Sequence, residues 1–328
     1  MKRKRWAGTA ALLAVLGAAT AYASVWAAPA VAQSAPAVAQ SATTPVQSPP
    51  AAVKSRWGAN YFPNIALTTQ DGEVVHFYDL IKGKIVAIDL IYTTCEYNCP
   101  LETARLAQVQ RLLGDRMGRD IFFYSITIDP EHDTPQVLKA YAKQYDAGPG
   151  WLFLNAKLDD VDLISKKLGL YSEPNADNKD GHMPTLLIGN EDTGQWMRGS
   201  ALDNPKFTAA LIGNWMNSWT TAKPAPSYAD AVPIHLSGKG EYLFSTKCVA
   251  CHSIGGGDKI GPDLAGVTAS RDRGWLTRYI AGPDRMRDDP DVKAMFEKFN
   301  KVKMPNLSLS EDEAADILGY VDAQAARR

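Results

Sequence analysis

Cysteine is scarce in this sequence of 328 residues, which contains only four. They form two close pairs, Cys95 with Cys99 and Cys248 with Cys251, so no cysteine remains to form a disulfide between distant parts of the chain. A disulfide across so short a loop adds little stability, because the stabilisation grows with the length of the loop that it closes. The absence of a disulfide framework indicates that both cysteine pairs have a chemical function rather than a structural one.

The sequence also lacks an excess of charge of either sign, since its formal net charge is -1. Without a basic footprint, nucleic acid is not an expected partner. Large side chains are nearly absent from residues 33–55, where Ala, Pro, Ser, Gln and Val dominate. Such a composition buries too little apolar surface to fold, and it predicts a disordered tether.

The N-terminal residues have the pattern of an export signal. Four basic residues, Lys2 to Arg5, precede an Ala/Leu-rich stretch and then small residues suited to cleavage. This predicts a signal over residues 1–32, and the stretch is also long enough to serve as a membrane anchor. A Pro/Ala-rich segment at 220–233 predicts a linker. We therefore expect a periplasmic bacterial protein, inner-membrane anchored if the signal is retained, with independent cores in domains 56–219 and 234–328.

Cys248-Val-Ala-Cys251-His252 is a C-x-x-C-H run, the attachment signature of c-type haem. The two thiols form thioethers with the haem, and the adjacent histidine binds the iron. A C-x-x-C pair that binds zinc or cycles as a dithiol is the alternative. Export favours covalent haem, which is attached on the outer side of the bacterial membrane.

Two terminal helices are predicted around this motif. A short amphipathic helix over 239–247 delivers Cys248, and Ser310-Glu-Asp-Glu313 is a capping box that opens a last helix. Gly240 and Gly319 are small enough to let these helices cross closely.

This region, from about residue 234 to the end, resembles the small class I cytochrome c domain, which is all-α. The resemblance rests on the C-x-x-C-H run, Gly261-Pro262 and Met304-Pro305. It implies one covalent haem c, with His252 oriented by the Pro262 carbonyl and Met304 as the sixth iron ligand. Met286 and Met295 are alternative sixth ligands.

Strand and helix signals alternate in the larger domain. Nearly continuous apolar runs predict strands buried on both faces, whereas apolar residues at helical spacing predict helices. The predicted strands lie at 84–92, 121–128 and 185–189, the last opening a hairpin, and the predicted helices lie at 100–116, 134–145 and 205–219. This order indicates an α/β layer fold.

Cys95 and Cys99 lie where the first long strand ends and its helix begins, with Pro100 at the helix start. Backbone N–H groups at that end stabilise a thiolate, which is both a nucleophile and a metal ligand. Glu96 between the cysteines opposes this effect, so the sign of the pKa shift stays open. The C-x-x-x-C spacing gives two thiolates room around one soft ion.

The run Cys95-Glu-Tyr-Asn-Cys99-Pro100, together with Asp129-Pro-Glu-His-Asp-Thr-Pro135, resembles the Sco/SenC family of thioredoxin-fold copper chaperones. The resemblance implies one copper ion bound by Cys95, Cys99 and a histidine. It also implies delivery of copper to, or reduction of thiols at, the copper subunit of cytochrome oxidase or another copper-site protein. His182 is the suitably placed histidine, although it falls one residue later than the family position.

The sequence therefore predicts an α/β thioredoxin-like domain followed by an all-α cytochrome c-like domain, and three functions fit that pair. The favoured one is copper binding with electron transfer during assembly or redox priming of a respiratory copper site. The second is a thiol-disulfide oxidoreductase in which Cys95 and Cys99 cycle and haem accepts electrons. The third is a plain haem electron carrier with a docking domain. Haem and copper each move one electron, whereas a dithiol couple moves two, so copper is the better match for haem. Enzymatic turnover stays open, as thiol-disulfide or copper reductase activity, with a metallochaperone or electron carrier favoured.

Overall fold

Seven strands form one sheet in the first part of the protein. The computed structural model describes residues 58–171, 183–217 and 238–327, and the sheet draws on the first two ranges. Its strands are β1 (Ala66–Thr69), β2 (Val74–His76), β3 (Ile85–Ile91), β4 (Ile121–Thr127), β5 (Trp151–Asn155), β6 (Thr185–Asn190) and β7 (Gln195–Ser200). Across the described sheet the order is β2-β1-β5-β4-β3-β6-β7.

The strand β3 is an interior strand of this sheet, parallel to β4 and antiparallel to β6. All seven of its residues are buried. Because successive strand residues point to opposite faces, Ile85, Ala87 and Ile91 join one apolar core while Val86 and Ile88 join another. Burial on both faces explains why this segment is a continuous apolar run rather than an alternating one.

Five helices cover the two faces of the sheet. They are α1 (Phe77–Ile81), α2 (Cys99–Leu113), α3 (Pro135–Gln144), α4 (Leu158–Leu168) and α5 (Pro205–Gly213). Helices α2, α3 and α5 pack into the core that contains Ile85, and α1 and α4 pack into the core that contains Val86.

The topology is thioredoxin-like, as predicted. Three parallel strands, β3, β4 and β5, are joined through helices, and the antiparallel β6–β7 hairpin and α5 follow. The elements β1, β2, α1, β5 and α4 are additions that the sequence did not predict.

The second part of the protein is helical, which confirms the predicted class. Its helices are α6 (Lys239–Leu243), α7 (Val267–Ser270), α8 (Arg273–Ala281), α9 (Pro290–Lys298) and α10 (Glu311–Ala325). A π-helical turn, Phe244–Cys248, continues α6 to the first haem-type cysteine. The capping box is present, because Ser310 and Glu313 exchange hydrogen bonds of 3.1 Å between side chain and backbone.

Helices α6 and α10 cross at Gly240. A Cβ atom on Gly240 would lie 2.1 Å from the carbonyl oxygen of Asp316, so only glycine allows this approach. The rings of Phe244 and Tyr320 meet beside it with centroids 5.5 Å apart. Gly319 differs from the expectation, since nothing lies within 4 Å of its Cβ position.

The second part has an apolar core of its own, formed by Leu243, Phe244, Ile254, Leu309, Ile317 and Val321, and it also packs against a core of the first part. Ala250, between the haem-type cysteines, is 4% exposed and belongs to the core formed by α2, α3 and β3. Arg105 of α2 donates to the carbonyl oxygen of Asp203 at 3.0 Å and to that of Thr246 in the second part. Four partly buried residues of the second part pack against the same core, namely Cys251, Ile260, Val302 and Leu307.

Several predicted features lie outside the described residues: the export signal, the tether, the linker and His182. Among the described helices, none has both the length and the apolar character needed to cross a membrane.

Candidate functional site

Cys95 and Cys99 flank the start of α2. The chain leaves β3 at Ile91, turns so that the Cys95 N–H donates to the Tyr92 carbonyl at 3.2 Å, and enters α2 at Cys99. Both cysteines are buried, with exposures of 5% and 0%. The geometry places two thiols at a helix N-terminus.

The pKa values of these two thiols move apart. A hydrogen bond from Cys99 is the main cause that lowers the pKa of Cys95 to about 5, and the backbone N–H groups of Tyr97 and Cys99 lower it further. Burial is the main cause that raises the pKa of Cys99 well above its usual range, and the negative charge of Cys95 adds to it. Cys95 is therefore the more readily ionised thiol of the pair.

Two buried carboxyl groups were not predicted from the sequence: Glu102, which interacts with both cysteines, and Asp89, which interacts with Glu102. Asp89 of β3 accepts a hydrogen bond of 2.7 Å from Ser125, which in turn accepts one of 2.9 Å from the Trp151 indole. Burial raises the pKa of Asp89 to about 7. Burial, then the charges of Asp89 and Cys95, raise the pKa of Glu102 well above its usual range. The acidic residue Asp89 inside the apolar run of β3 was the sequence signal that could have indicated these buried carboxyl groups.

Asp133 explains why the acidic D-P-E-H-D-T-P motif accompanies the cysteine motif. Its fully buried carboxylate accepts the Thr93 N–H at 3.0 Å, the Thr93 hydroxyl, and the Thr127 hydroxyl at 2.5 Å. These bonds fix the turn that leads to Cys95. His132 is exposed, and its Nδ1 lies 3.1 Å from a carboxylate oxygen of Asp133, so its contact is within this loop.

The histidine predicted to complete the ligand set, His182, lies just before the described residues resume. Its neighbour Met183 is 46% exposed.

The ring of His252 is fixed from two sides. Its Nδ1–H donates to the Pro262 carbonyl at 2.8 Å, which leaves Nε2 with the lone pair that a metal needs. Gly261 lies against the ring, and a Cβ there would come 2.6 Å from Cε1. Burial is the main cause that lowers the pKa of His252, so the imidazole is neutral.

The surroundings of His252 fit a haem. Two cavities of about 490 and 400 Å³ both include His252, Pro262 and Met304 in their walls, which are mainly apolar and aromatic. Burial raises the pKa of Cys248 and of Cys251 to about 12. Because disulfide exchange needs a thiolate, the raised pKa values disfavour a redox dithiol at this pair.

The structure narrows the choice of sixth ligand. Met304 lies between α9 and α10 and lines both cavities. Met295 of α9 also lines both, whereas Met286 lines neither.

The cysteine loop and the His252 pocket adjoin each other. Glu96, between Cys95 and Cys99, lines the 490 Å³ cavity together with His252 and Met304. From the sequence alone Glu96 is only an unfavourable charge, because no residue pattern near it indicates a contact with the other domain.

Comparison with known proteins gives two family matches. The SCO1/SenC family model matches residues 54–185, and the cytochrome c family model matches residues 237–324. An SCO1 protein homolog of Bacillus subtilis is 30% identical over 128 residues, which cover 38% of this chain and 65% of that protein. An SCO2-like protein of Rickettsia conorii is 30% identical over 156 residues, which cover 45% of this chain and 73% of that protein. The chain thus spans about two thirds of the length of these relatives. The solved structure of ScoI from Bradyrhizobium japonicum with copper bound is 24% identical, with a TM-score of 0.39, over 46% of this chain and 98% of that one.

Proposed function

Because the chain belongs to the SCO1/SenC family and also carries a cytochrome c domain, we propose that it binds copper and transfers electrons in the assembly or redox priming of a respiratory copper site. Copper is the cargo, held by Cys95 and Cys99 with His182 as third ligand. The recipient is the copper subunit of cytochrome oxidase or another copper-site protein. The export pattern of residues 1–32 and the C-x-x-C-H run support a periplasmic location.

The observation that carries the copper proposal is the placement of two buried thiols together at the start of α2. Cys95 and Cys99 are 5% and 0% exposed, α2 begins at Cys99, and a hydrogen bond from Cys99 lowers the pKa of Cys95. Cu(I) is a soft monovalent ion that prefers thiolate ligands. Its binding would displace the Cys99 proton, so the site would hold two thiolates around one cation. His182 would mainly tune the preference for Cu(II), which favours imidazole nitrogen more than Cu(I) does.

For the second domain we propose a covalent haem c. Cys248 and Cys251 would hold it through thioethers, with His252 and Met304 as iron ligands and Pro262 orienting His252. When bound, such a group supplies one-electron transfer at a potential raised by the histidine and methionine ligands. The chain's contribution is to keep the imidazole neutral, to fix its Nδ1–H on Pro262, and to enclose the pocket with apolar side chains.

One observation favours a second candidate, a thiol-disulfide oxidoreductase. A thiol with a pKa of about 5, hydrogen-bonded by a second thiol, is also the arrangement of an attacking and a resolving cysteine. Electron counting ranks this candidate second, because a dithiol gives two electrons and haem accepts one.

The test is an anaerobic titration of the full chain, thiols reduced, with Cu(I) and a competing chelator. We expect one Cu(I) per chain. Cys95→Ser or Cys99→Ser should weaken binding by more than the roughly 10–100-fold that loss of an outer-shell contact causes. His182→Ala should cost less, and His132→Ala, the matched control on an exposed loop, should cost nothing measurable. A chain that takes up no copper yet reduces disulfides in other proteins would refute the copper proposal and favour the second candidate.

A further inference from the structure

Glu96 joins the cysteine loop to the segment that carries Met304. Its backbone carbonyl accepts the Asn306 N–H at 2.8 Å. Its carboxylate pairs with Arg287 and with Lys303, whose Nζ lies 3.3 Å away. The Asn306 side chain also donates to Asp284 at 2.6 Å, which ties the 303–306 segment to the turn before α9. One residue of the first domain thus holds two segments of the haem pocket.

Glu96 faces two positive charges of the second domain. It stands between Cys95 and Cys99, and its carboxylate has Arg287 and Lys303 beside it. The side chain is 26% exposed, so these pairs lie at the edge of the interface and are open to screening by salt.

The contact is the polar edge of a packed interface. On its inner side, Ala250 is buried in the core shared with α2, and Arg105 of α2 donates to the Thr246 carbonyl. Apolar packing therefore brings the domains together. The 303–306 segment has no helix or strand of its own. Its polar contacts with Glu96 therefore fix its position on the first domain.

We propose that Glu96 is a positioning residue. Through Arg287, Lys303 and Asn306 it seats the Met304 segment on the cysteine loop, so that the copper and haem sites of one chain exchange an electron with each other. With both groups bound, one electron would pass from ferrous haem to Cu(II), giving ferric haem and Cu(I), so that no proton or further reagent would be needed. The identity of the two redox partners rests on the proposed function above.

The first experiment mixes the full, haem-loaded and reduced chain with Cu(II) and follows haem oxidation by stopped-flow absorbance. Glu96→Gln keeps the backbone carbonyl and removes the charge. It should slow the concentration-independent phase by about tenfold, the effect expected when two partly exposed ion pairs are lost. The wild-type rate should fall with added salt, and the rate in Glu96→Gln should depend on salt less.

Two further variants separate positioning from general damage. Glu96→Arg combined with Arg287→Glu and Lys303→Glu reverses both ion pairs and should restore most of the rate. Asp71→Asn removes a matched surface ion pair of the same domain, Asp71 with Lys139 at 2.9 Å, and should leave the rate unchanged. A rate that is the same in Glu96→Gln as in wild type, or that scales with protein concentration, overturns the proposal. So do reversed pairs that recover nothing.

A second readout needs no copper. Hydrogen exchange at the Asn306 amide reports the bond to the Glu96 carbonyl, and it should be several-fold faster in Glu96→Gln than in wild type and unchanged in Asp71→Asn. If the chain binds no copper, the proposed function fails while this readout still tests Glu96. Identical Asn306 exchange in Glu96→Gln and wild type would show that Glu96 does not hold the segment.

Discussion

Replacing Gly261 by alanine should displace the ring of His252, the proposed iron ligand. The added Cβ would lie 2.6 Å from Cε1 of His252, whereas carbon atoms in contact settle at about 3.5–4.0 Å. The ring must therefore retreat by about 1 Å. Its 2.8 Å bond to the Pro262 carbonyl would then lengthen beyond the roughly 3.2 Å limit of a hydrogen bond. The lost bond costs about 0.5–1.5 kcal/mol and the overpacking about 1–3 kcal/mol, so we expect a loss of about 2–4 kcal/mol.

The assay is denaturant unfolding of the haem-loaded chain followed by haem absorbance, together with the visible spectrum of the oxidised protein. Gly261→Ala should unfold at a lower denaturant concentration and show a perturbed axial-ligand spectrum. Gly319→Ala is the matched control, since its Cβ meets open space on α10 and should stabilise that helix by about 1 kcal/mol. A Gly261→Ala protein with the wild-type midpoint and spectrum would refute the assignment of His252.

Three further predictions concern single side chains. Met304→Ala should abolish the sulfur-to-iron absorption band of the oxidised haem while Met295→Ala keeps it; the reverse result would make Met295 the sixth ligand. In the haem-loaded chain the ultraviolet absorption of the Cys95 thiolate should be present at neutral pH and disappear as the pH falls through about 5; an unchanged transition in Cys95→Ser would contradict that assignment. Asp133→Asn should destabilise the chain by about 2–4 kcal/mol in denaturant melts, because a buried carboxylate that accepts three bonds loses its charge; an effect no larger than that of His132→Ala would show that Asp133 does not fix the Thr93 turn.

Local patterns predicted the parts of the fold that local chemistry determines. The apolar run of β3 predicted a strand buried on both faces, and the capping box of Ser310 and Glu313 predicted the start of α10. The placement of Cys99 at a helix start followed from Pro100 and the helical spacing after it.

Features that depend on a distant partner could not be predicted in this way. Gly240 and Gly319 look equivalent in the sequence, yet only Gly240 meets the backbone of another helix. The pKa of Asp89 is raised by burial, and the role of Glu96 depends on cations 191 and 207 residues away in the chain. Nothing in the sequence indicates that Ala250 is buried, since a small apolar residue is equally suited to a surface turn and to a core.

The central claim is that Cys95 and Cys99 hold a copper ion that exchanges electrons with haem in the same chain, and anaerobic titration of the reduced, haem-loaded chain with Cu(II) tests it most directly. The account predicts that one equivalent of Cu(II) oxidises one equivalent of haem, that the copper stays bound as Cu(I), and that Cys95→Ser and Cys99→Ser abolish the reaction. Haem that stays reduced in the wild-type chain, or that is oxidised equally well in both serine variants, would contradict it.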